Sequence, residues 1–285
     1  MFRVISNEEI APQLHRMVVE APRVAKARKP GQFVIVRSGP EGERIPLTIA
    51  DDDPEAGTIT LIVQAVGRAT KAIAAIPAGG ALRDVAGPLG RPTEMEHWGK
   101  VVCVGGGVGT AVLYPLAKGL AAEGNELTAI IGGRSEEYVI LQDELGAFSK
   151  KVYVTTEDGS LGEKGFVTLP LKRMLEDPEQ RPDAVYAVGP VPMMRAVCEL
   201  TRGYGVRTIV SLNPIMVDGT GMCGGCRVTV GGKTRFACVD GPEFDGHLVD
   251  FGELSARQGT YLELDKHGCR LDKQLAETKK RDADV

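Results

Sequence analysis

Short runs in which apolar and polar residues alternate fill the N-terminal third of the chain, and Gly, Pro and Asp residues separate these runs. Examples are residues 14–20, 32–37 and 58–66. Alternation at this spacing is typical of the strands of a small antiparallel barrel. The stretch 70–76 instead has a helical pattern, which Pro77 and Gly79 end. The pattern predicts an antiparallel β-barrel over residues 1–98.

From residue 99 the pattern changes to continuous apolar runs, and stretches with helical spacing lie between them. The apolar runs are residues 100–104, 126–132, 152–156 and 183–188. Buried strands that alternate with helices imply a parallel sheet covered on both faces. We therefore expect a Rossmann-like, parallel-sheet nucleotide domain over residues 99–205, which makes the fold class β + α/β. Residues 206–285 are expected to form a small third domain with a charged tail.

The first of these apolar runs ends in glycines, directly before a helical stretch that Gly124 ends. A strand, a glycine-rich turn and a helix are how a dinucleotide-binding unit begins. Glycines let the main chain approach the pyrophosphate, and the helix N-terminus receives its negative charge. The candidate NAD(P)-binding residues of this turn are Gly105, Gly106, Gly107, Gly109 and Thr110.

The end of the next predicted strand carries charges of both signs, at the place where this fold meets the adenine ribose. An acidic residue here, such as Glu137, favours a free 2′-hydroxyl group. Arg134 and Ser135 could instead bind a 2′-phosphate. The two signals conflict, and NAD(H) is the favoured nucleotide over NADP(H).

Three of the six cysteines fall in one glycine-rich window near the C-terminus. Together with Asp218, the residues Cys223, Cys226 and Cys238 form the pattern D-x4-C-x2-C-x11-C. Plant-type [2Fe-2S] proteins use C-x4-C-x2-C and a distant fourth cysteine, so an aspartate stands here in the first position. The stretch 227–238 has the pattern of a hairpin around a Gly-Gly turn, which would return Cys238 to the side of Cys226.

A zinc site, a disulfide or a structural turn could also explain the residues of this window. A structural zinc site also uses C-x2-C, but it normally has a second close pair of ligands, and Cys238 stands alone. A disulfide does not fit a chain without a secretory signal. Asp218 could be a turn residue of a glycine-rich loop instead of a ligand. A [2Fe-2S] cluster is the favoured interpretation of this window.

Composition and charge narrow the function. The chain has 285 residues and a net charge of −4, which argues against a nucleic-acid partner held by electrostatics. No apolar run is long enough to span a membrane. The acidic N-terminus is not a signal peptide, and six cysteines then indicate a reducing cytoplasm with metal or redox use. Cys269, in the charged tail, has no evident mate and is expected to be a free thiol.

The barrel region resembles the flavin-binding barrel of the ferredoxin–NADP reductase superfamily. The stretch from Arg44 to Thr48 is similar to that family's Arg-x-Tyr-Ser motif, with Pro46 in place of the aromatic residue. Gly67 and Thr70 lie at the start of the predicted helix, where a phosphate could bind. The resemblance implies an FAD site that contains Arg44, Pro46, Leu47, Thr48, Gly67 and Thr70.

Two further motifs of this superfamily lie in the nucleotide region. Residues 156–160 resemble its Thr-x-Asp-Gly-Ser segment, which places Asp158 near the nicotinamide. Residues 188–193 resemble its Cys-Gly-Pro-x-x-Met motif, with Val188 in place of the cysteine. The resemblance adds Asp158, Gly189, Pro190 and Met193 to the NAD(P) site. Ordinary helix packing is an alternative role for Met193.

The aspartate at position 218 narrows the resemblance to one family. The whole chain is similar to the small (alpha) subunit of NADH-dependent reduced ferredoxin:NADP oxidoreductase, also known as the sulfide dehydrogenase beta subunit. That family implies FAD and a [2Fe-2S] cluster held by Asp218, Cys223, Cys226 and Cys238. It also implies a large partner subunit related to the glutamate synthase small subunit, with another FAD and [4Fe-4S] clusters.

The implied reaction is electron bifurcation. Electrons from NADPH enter at the partner's flavin, one passes to ferredoxin, and the other passes through this chain's cluster and FAD to NAD. The electron-transfer subunit of dihydroorotate dehydrogenase is the nearest alternative, although it would carry a cysteine at position 218. The cluster loop argues against a self-contained reductase. A zinc-stabilised nucleotide-binding regulator is the alternative from another class.

Overall fold

A computed structural model describes residues 1–261 of the chain. Within this range the strands are β1 (Phe2–Ala11), β2 (Leu14–Glu20), β3 (Phe33–Arg37), β4 (Ile45–Asp53), β5 (Thr58–Gln64), β6 (Ala81–Leu82), β7 (Asp84–Leu89), β8 (Lys100–Gly106), β9 (Glu126–Gly133), β10 (Lys151–Thr156), β11 (Glu163–Lys164), β12 (Ala184–Val188), β13 (Arg207–Ser211), β14 (Arg227–Val230), β15 (Lys233–Phe236) and β16 (Glu243–Asp245). The α-helices are α1 (Pro22–Ala27), α2 (Arg68–Ala74), α3 (Gly109–Ala122), α4 (Gln142–Gly146), α5 (Thr168–Glu176), α6 (Val191–Arg202), α7 (Ala237–Asp240) and α8 (Phe251–Gln258). Cys269 and most of the charged tail lie outside the described residues.

The N-terminal strands form an antiparallel barrel, as the alternating pattern predicts. Their order is β6-β1-β2-β5-β4-β3-β7. The alternate residues of each strand face inward and form one apolar core, in which Met17, Ile59 and Leu61 are fully buried. Burial of apolar surface of this extent is the main force that holds such a small barrel together.

Helix α2 begins two residues earlier than its pattern predicts. Gly67 has an extended main chain and caps the helix, and the Thr70 hydroxyl accepts a hydrogen bond from the Gly67 N–H at 3.0 Å. Thr70 therefore lies in the first turn of the helix and is already bonded to the cap. The predicted helix is confirmed, and its N-terminus lies at Gly67 instead of Thr70.

The second sheet is parallel except at one edge, with the order β11-β10-β9-β8-β12-β13-β16. Helices α5 and α6 cover one face and α3 covers the other, which accounts for the continuous apolar runs of the sequence. β16 comes from the region after the cysteine window, and it pairs antiparallel with β13. The predicted parallel sheet is confirmed, and its antiparallel edge strand was not foreseen.

The C-terminal segment packs on the nucleotide sheet. β14 and β15 form the predicted hairpin, and the short helix α7 carries Cys238 back beside Cys226. Cys226, Cys238 and Leu254 belong to the same apolar cluster as Val104 and Val210 of the sheet. No helix within residues 1–261 has the length and apolar content needed to cross a membrane.

Two ion pairs connect the barrel to the nucleotide sheet's helices. Arg16 on β2 contacts Glu144 on α4 at 2.6 Å, and Lys118 on α3 contacts Asp51 on β4 at 3.0 Å. Exposed pairs of this kind contribute little to stability, about 0–1 kcal/mol. Both pairs cross between the barrel and the helices of the nucleotide sheet, and a cavity lies between these two units.

Candidate functional site

A cavity of about 1120 Å³ lies where the barrel, the nucleotide sheet and the segment after β13 meet. Four of the predicted FAD residues line it, namely Pro46, Leu47, Thr48 and Thr70. Seven of the predicted NAD(P) residues line it, namely Gly106, Gly107, Gly109, Arg134, Gly189, Pro190 and Met193. One continuous space thus contacts both predicted nucleotide sites.

The barrel wall of this cavity is apolar. Phe33 of β3 is paired with Thr48 of β4, and both residues face the cavity with Leu47 and Ile62. Arg44 lies just before β4 and is exposed, and neither Arg44 nor Gly67 lines the cavity. An apolar wall with a few hydroxyl groups suits a flat, partly apolar ring system such as isoalloxazine.

The opposite wall is built from main chain at the carboxyl ends of β8, β9 and β12. A Cβ atom at Gly109 would lie 2.5 Å from the carbonyl oxygen of Val188, so only glycine fits at the start of α3. A Cβ atom at Gly106 would collide with Met193. Gly107 has a φ of +53°, and a side chain there would enter open space. This wall offers a close main-chain approach and a helix N-terminus, which are what a pyrophosphate requires.

Two predicted residues of this turn support the wall from behind. Thr110 is buried and does not line the cavity, and its hydroxyl would lie 2.8 Å from a Cβ atom at Gly105. Gly105 itself does not line the cavity. Their contact brings the first turn of α3 close to β8, and it is another place where a side chain larger than hydrogen does not fit.

The far end of the cavity is lined by Arg134, Tyr138 and Glu157. Glu137 and Asp158 do not line it. The carboxylate of Asp158 instead accepts hydrogen bonds from the Ser160 N–H at 2.9 Å and the Ser160 hydroxyl at 2.7 Å, and this hydroxyl bond lowers the pKa of Asp158. Asp158 therefore shapes the turn that carries Glu157.

The turn that contains Ser160 is also bonded to the turn after β9, because the Ser160 hydroxyl accepts a hydrogen bond from the Glu136 N–H at 2.8 Å. Sequence reasoning passed over Glu157, although its place directly after β10 could have indicated it. Carboxyl ends of neighbouring parallel strands meet at the same edge of a sheet.

In the cysteine window two thiols form a pair, and Asp218 contacts Cys223 through a main-chain hydrogen bond. The sulfur atoms of Cys226 and Cys238 are buried and 3.2 Å apart. Cys223 is exposed, and its sulfur accepts the Gly225 N–H at 3.4 Å. Asp218 accepts the N–H groups of Thr220 and Cys223, each at 2.9 Å, and the Thr220 bond is the main cause of its lowered pKa.

A metal centre in this window would bind its cysteines as thiolates. Among the described residues, no group of three or more His, Cys, Asp or Glu side chains converges on one point. Burial raises the pKa of Cys238 to about 12, with the Cys226 thiol as a further cause, so a bound metal would have to displace its proton.

The loop between Asp218 and Cys226 also packs on the barrel. A Cβ atom at Gly219, whose φ is +75°, would lie 2.8 Å from Leu89 and 2.9 Å from Ile35. Leu89 and Ile35 belong to β7 and β3, next to the cavity-lining Phe33. The cysteine window and the barrel wall are therefore in direct contact, as a pair of electron-exchanging cofactors would require.

A buried carboxyl group sits behind this contact. Glu243 on β16 accepts a hydrogen bond from the Thr93 hydroxyl, and its other oxygen, Oε1, has no partner among the described residues. Burial raises the pKa of Glu243 to about 7. Gly31 leaves room for this group, since a Cβ atom there would lie 2.8 Å from Oε1. No local pattern marks Glu243, because Thr93 lies far away in the sequence.

Two models of known protein families match separate parts of the chain. The family model described as the iron–sulfur cluster binding domain of dihydroorotate dehydrogenase B matches residues 213–250, and that of the oxidoreductase NAD-binding domain matches residues 103–199.

Two curated relatives and one solved structure extend the likeness to nearly the whole chain. The dihydroorotate dehydrogenase B (NAD(+)) electron transfer subunit homolog of Thermotoga maritima is 46% identical over 92% of each chain. The corresponding subunit of Fusobacterium nucleatum is 35% identical over 85% of this chain and 94% of its own length. The NADH-dependent reduced ferredoxin–NADP oxidoreductase, solved in a study of flavin-based electron bifurcation, has a chain with a TM-score of 0.88 and 45% identity, covering 93% of this chain and 95% of that one.

These matches confirm the predicted resemblance, the fold class and the cofactor set of FAD, NAD(P) and an iron–sulfur cluster. They favour the cluster over zinc in the cysteine window, because the iron–sulfur model spans Asp218 to Cys238. They leave the individual ligands and contact residues as predictions. The chain belongs to the family of dihydroorotate dehydrogenase B electron-transfer subunits and their homologues among the ferredoxin–NADP reductase-like oxidoreductases, with an FAD-type barrel, an NAD-binding domain and an iron–sulfur domain.

Proposed function

We propose that this chain is the small, electron-transferring subunit of an electron-bifurcating ferredoxin:NADP(H) oxidoreductase. The observation that carries the proposal is the single cavity that contacts the barrel, the glycine-rich wall and the segment leading to the cysteine window. The high similarity to the solved bifurcating oxidoreductase over nearly the whole chain supports it. The electron-transfer subunit of dihydroorotate dehydrogenase remains the second candidate, since relatives of that name are also similar over most of the chain.

The residues of the chain have separate roles in this function. When bound, FAD exchanges hydride with a nicotinamide and single electrons with an iron–sulfur cluster. The barrel residues Pro46, Leu47, Thr48 and Thr70 would hold the flavin, with Arg44 and Gly67 beside them. The apolar side chains of Phe33 and Ile62 exclude water from the same wall. The protein thus supplies orientation and a dry environment.

The nucleotide would bind across the glycine-rich wall. The pyrophosphate would lie against Gly106, Gly107 and Gly109, which Gly105 and Thr110 support from behind. The nicotinamide half would contact Gly189, Pro190 and Met193. Arg134 and Glu157 face the other half. Asp158, which the resemblance places near the nicotinamide, shapes the turn that carries Glu157 at this other half, and Glu137 does not line the cavity. A carboxylate on the cavity wall repels a 2′-phosphate and accepts from a 2′-hydroxyl, so Glu157 supports NAD(H) as the nucleotide.

For the cluster we propose the ligands Asp218, Cys223, Cys226 and Cys238. This set is supported by the buried thiol pair, by the hydrogen bond from the Cys223 N–H to Asp218 and by the glycines around them. A carboxylate is a harder ligand than a thiolate, so Asp218 should tune the potential of its iron.

The assembly we propose includes a larger subunit related to the glutamate synthase small subunit, with FAD and [4Fe-4S] clusters, and ferredoxin as a partner of the whole complex. Met222 is 88% exposed, and Val217 and Val239 are exposed as well, next to the exposed Cys223. An apolar surface at the cysteine window suits a partner subunit that delivers electrons there. We place the complex in the cytoplasm, without membrane or nucleic-acid partners.

Anaerobic purification from the native host tests this function. We expect flavin bands and a [2Fe-2S] absorbance envelope, reduction of both by NADH, and co-purification of the glutamate synthase-like subunit. Co-purification of a dihydroorotate dehydrogenase catalytic subunit would select the second candidate. A colourless chain that contains neither iron nor flavin would overturn both.

A further inference from the structure

Helix α8 is firmly fixed at its beginning. Asp250 caps it by accepting the Glu253 N–H at 2.9 Å, and the Asp250 N–H donates to the carbonyl of Thr229 in the hairpin, also at 2.9 Å. Phe251 and Leu254 are buried in the core that contains Cys226 and Cys238. The helix is therefore held between the hairpin and the core, and its last turn is in a defined place.

Two consecutive residues of that last turn reach in different directions. The Arg257 guanidinium donates to the carbonyl of Gly225 at 3.2 Å. The Gln258 amide donates to the main-chain oxygen of Asn213 at 2.8 Å and to its side-chain oxygen at 3.0 Å. Gly225 lies between Cys223 and Cys226, whereas Asn213 lines the large cavity. One helix end thus holds both the cysteine window and the cavity wall.

The chain between these two points is irregular, and its other anchors are the buried side chain of Met216 and the contact of Gly219 with the barrel. Residues 213–217 have no regular secondary structure, and Pro214 has no N–H to donate. Met216 is buried and lines the cavity, and Asp218 follows two residues later. Any drift of this segment would change the separation of the cysteine window from the flavin wall.

We propose that Arg257 and Gln258 are positioning residues that set the distance between the iron–sulfur cluster and the flavin. This inference rests on the proposed function. The rate of electron tunnelling falls steeply with the separation of two redox centres, so a loosened segment 213–217 would slow electron transfer between them. Hydride transfer at the flavin depends on the opposite wall and does not involve α8.

The test uses the full chain with its flavin and cluster bound, mixed anaerobically with NADH in a stopped-flow instrument. The variants are Gln258→Leu and Arg257→Met, and Ser255→Ala is the matched control, because Ser255 is exposed on the same helix and its hydroxyl bonds only within it. Arg257→Lys keeps a donor and should restore most of the rate that Arg257→Met loses. Flavin reduction and cluster reduction are followed in the same trace at different wavelengths.

We expect cluster reduction to slow severalfold in Gln258→Leu, because the rate of electron tunnelling falls exponentially with the distance between flavin and cluster. Flavin reduction should stay within about twofold of the parent rate, because its wall is untouched. Equal slowing of both phases, or no slowing of either, would overturn the inference.

A second measurement does not need the cofactors. Loss of the Gln258 hydrogen bonds should speed amide hydrogen exchange in residues 213–218 by about fivefold, as expected for roughly 1 kcal/mol of lost local stability. Unchanged exchange there would contradict the inference even if the parent chain bound no flavin. Absence of flavin and cluster from the parent chain would contradict the proposed function instead, so the two failures are distinguishable.

Discussion

The glycine-rich wall lines the cavity, whereas the cysteine window follows a segment that lines it, and the two regions are built in different ways. The wall consists of main chain at the ends of regular strands, and its geometry is fixed by sheet pairing and by glycines such as Gly109, where a Cβ atom does not fit. The window is an irregular loop held by individual side chains such as Asp218 and Arg257. A substitution at the wall should therefore change stability or binding because the added side chain takes up space. A substitution at the window should act because a cluster ligand or a hydrogen bond is lost.

The largest effect should come from a thiol in the window. Cys226→Ser removes one member of the buried sulfur pair, and we expect complete loss of the [2Fe-2S] absorbance while flavin remains bound. Iron analysis and a visible spectrum measure both. The control is Cys198→Ala, because Cys198 is also buried but lies in α6 outside the window. A normal cluster in Cys226→Ser would remove this residue from the ligand set.

The next largest effect should be on the pH dependence of stability, and it should come from Glu243, which follows the cysteine window in the sequence. Burial raises the pKa of Glu243 from 4.5 to about 7, so the folded chain binds a proton that the unfolded chain has released between these values. Stability should therefore fall as pH rises from about 4.5 to about 7, by up to about 3 kcal/mol.

The variant Glu243→Gln cannot release a proton and should flatten this slope, which urea unfolding between pH 5 and pH 8 can measure. It keeps the oxygen that accepts from Thr93, so its fold should persist. An equal pH dependence in parent and variant would assign the slope to other groups.

Two glycines of the wall sharpen the comparison because a side chain meets different surroundings at each. Gly109→Ala places a methyl group against the main chain of Val188, so we expect a loss of about 1–3 kcal/mol in unfolding free energy. Gly107→Val projects into the cavity, so we expect weaker NADH binding while FAD stays bound. Thermal unfolding and a nucleotide titration separate the two. Unchanged NADH affinity in Gly107→Val would argue against a wall shaped for a ligand, whatever stability this variant loses through the positive φ of +53° at that position.

The smallest effect should come from a charged side chain on the wall. Arg134→Gln should weaken NADH binding by about two- to threefold, since the main chain holds most of the ligand and one exposed hydrogen bond contributes at the low end of the usual range, about 0.5 kcal/mol. Affinity for NADPH should fall by about tenfold, because a charged partner of phosphate contributes more. A large loss of NADH binding would mean that side chains, rather than main chain, carry recognition at the wall too.

The regular regions followed from local sequence. Alternation over residues 14–20 and 58–66 marks strands whose one face is buried, and the actual strands agree closely. The run before Gly105 marks a strand buried on both faces. These patterns are reliable because the apolar and polar residues of each strand show by themselves which of its faces are buried.

Features that depend on distant partners did not follow. β16 has only three residues, and its pairing with β13 has no local signal. The role of Glu157 depends on two strand ends that meet in space, and the burial of Glu243 depends on Gly31 and Thr93. The spacing of Asp218 and the cysteines was visible because all four lie within one short window.

The pairing of β16 with β13 has a practical consequence for dissecting the chain. A fragment that ends before the cysteine window would leave the edge of β13 without its partner strand, and such an open edge invites pairing with another copy. Such a fragment should self-associate and precipitate, whereas one that extends through Asp245 should stay monomeric.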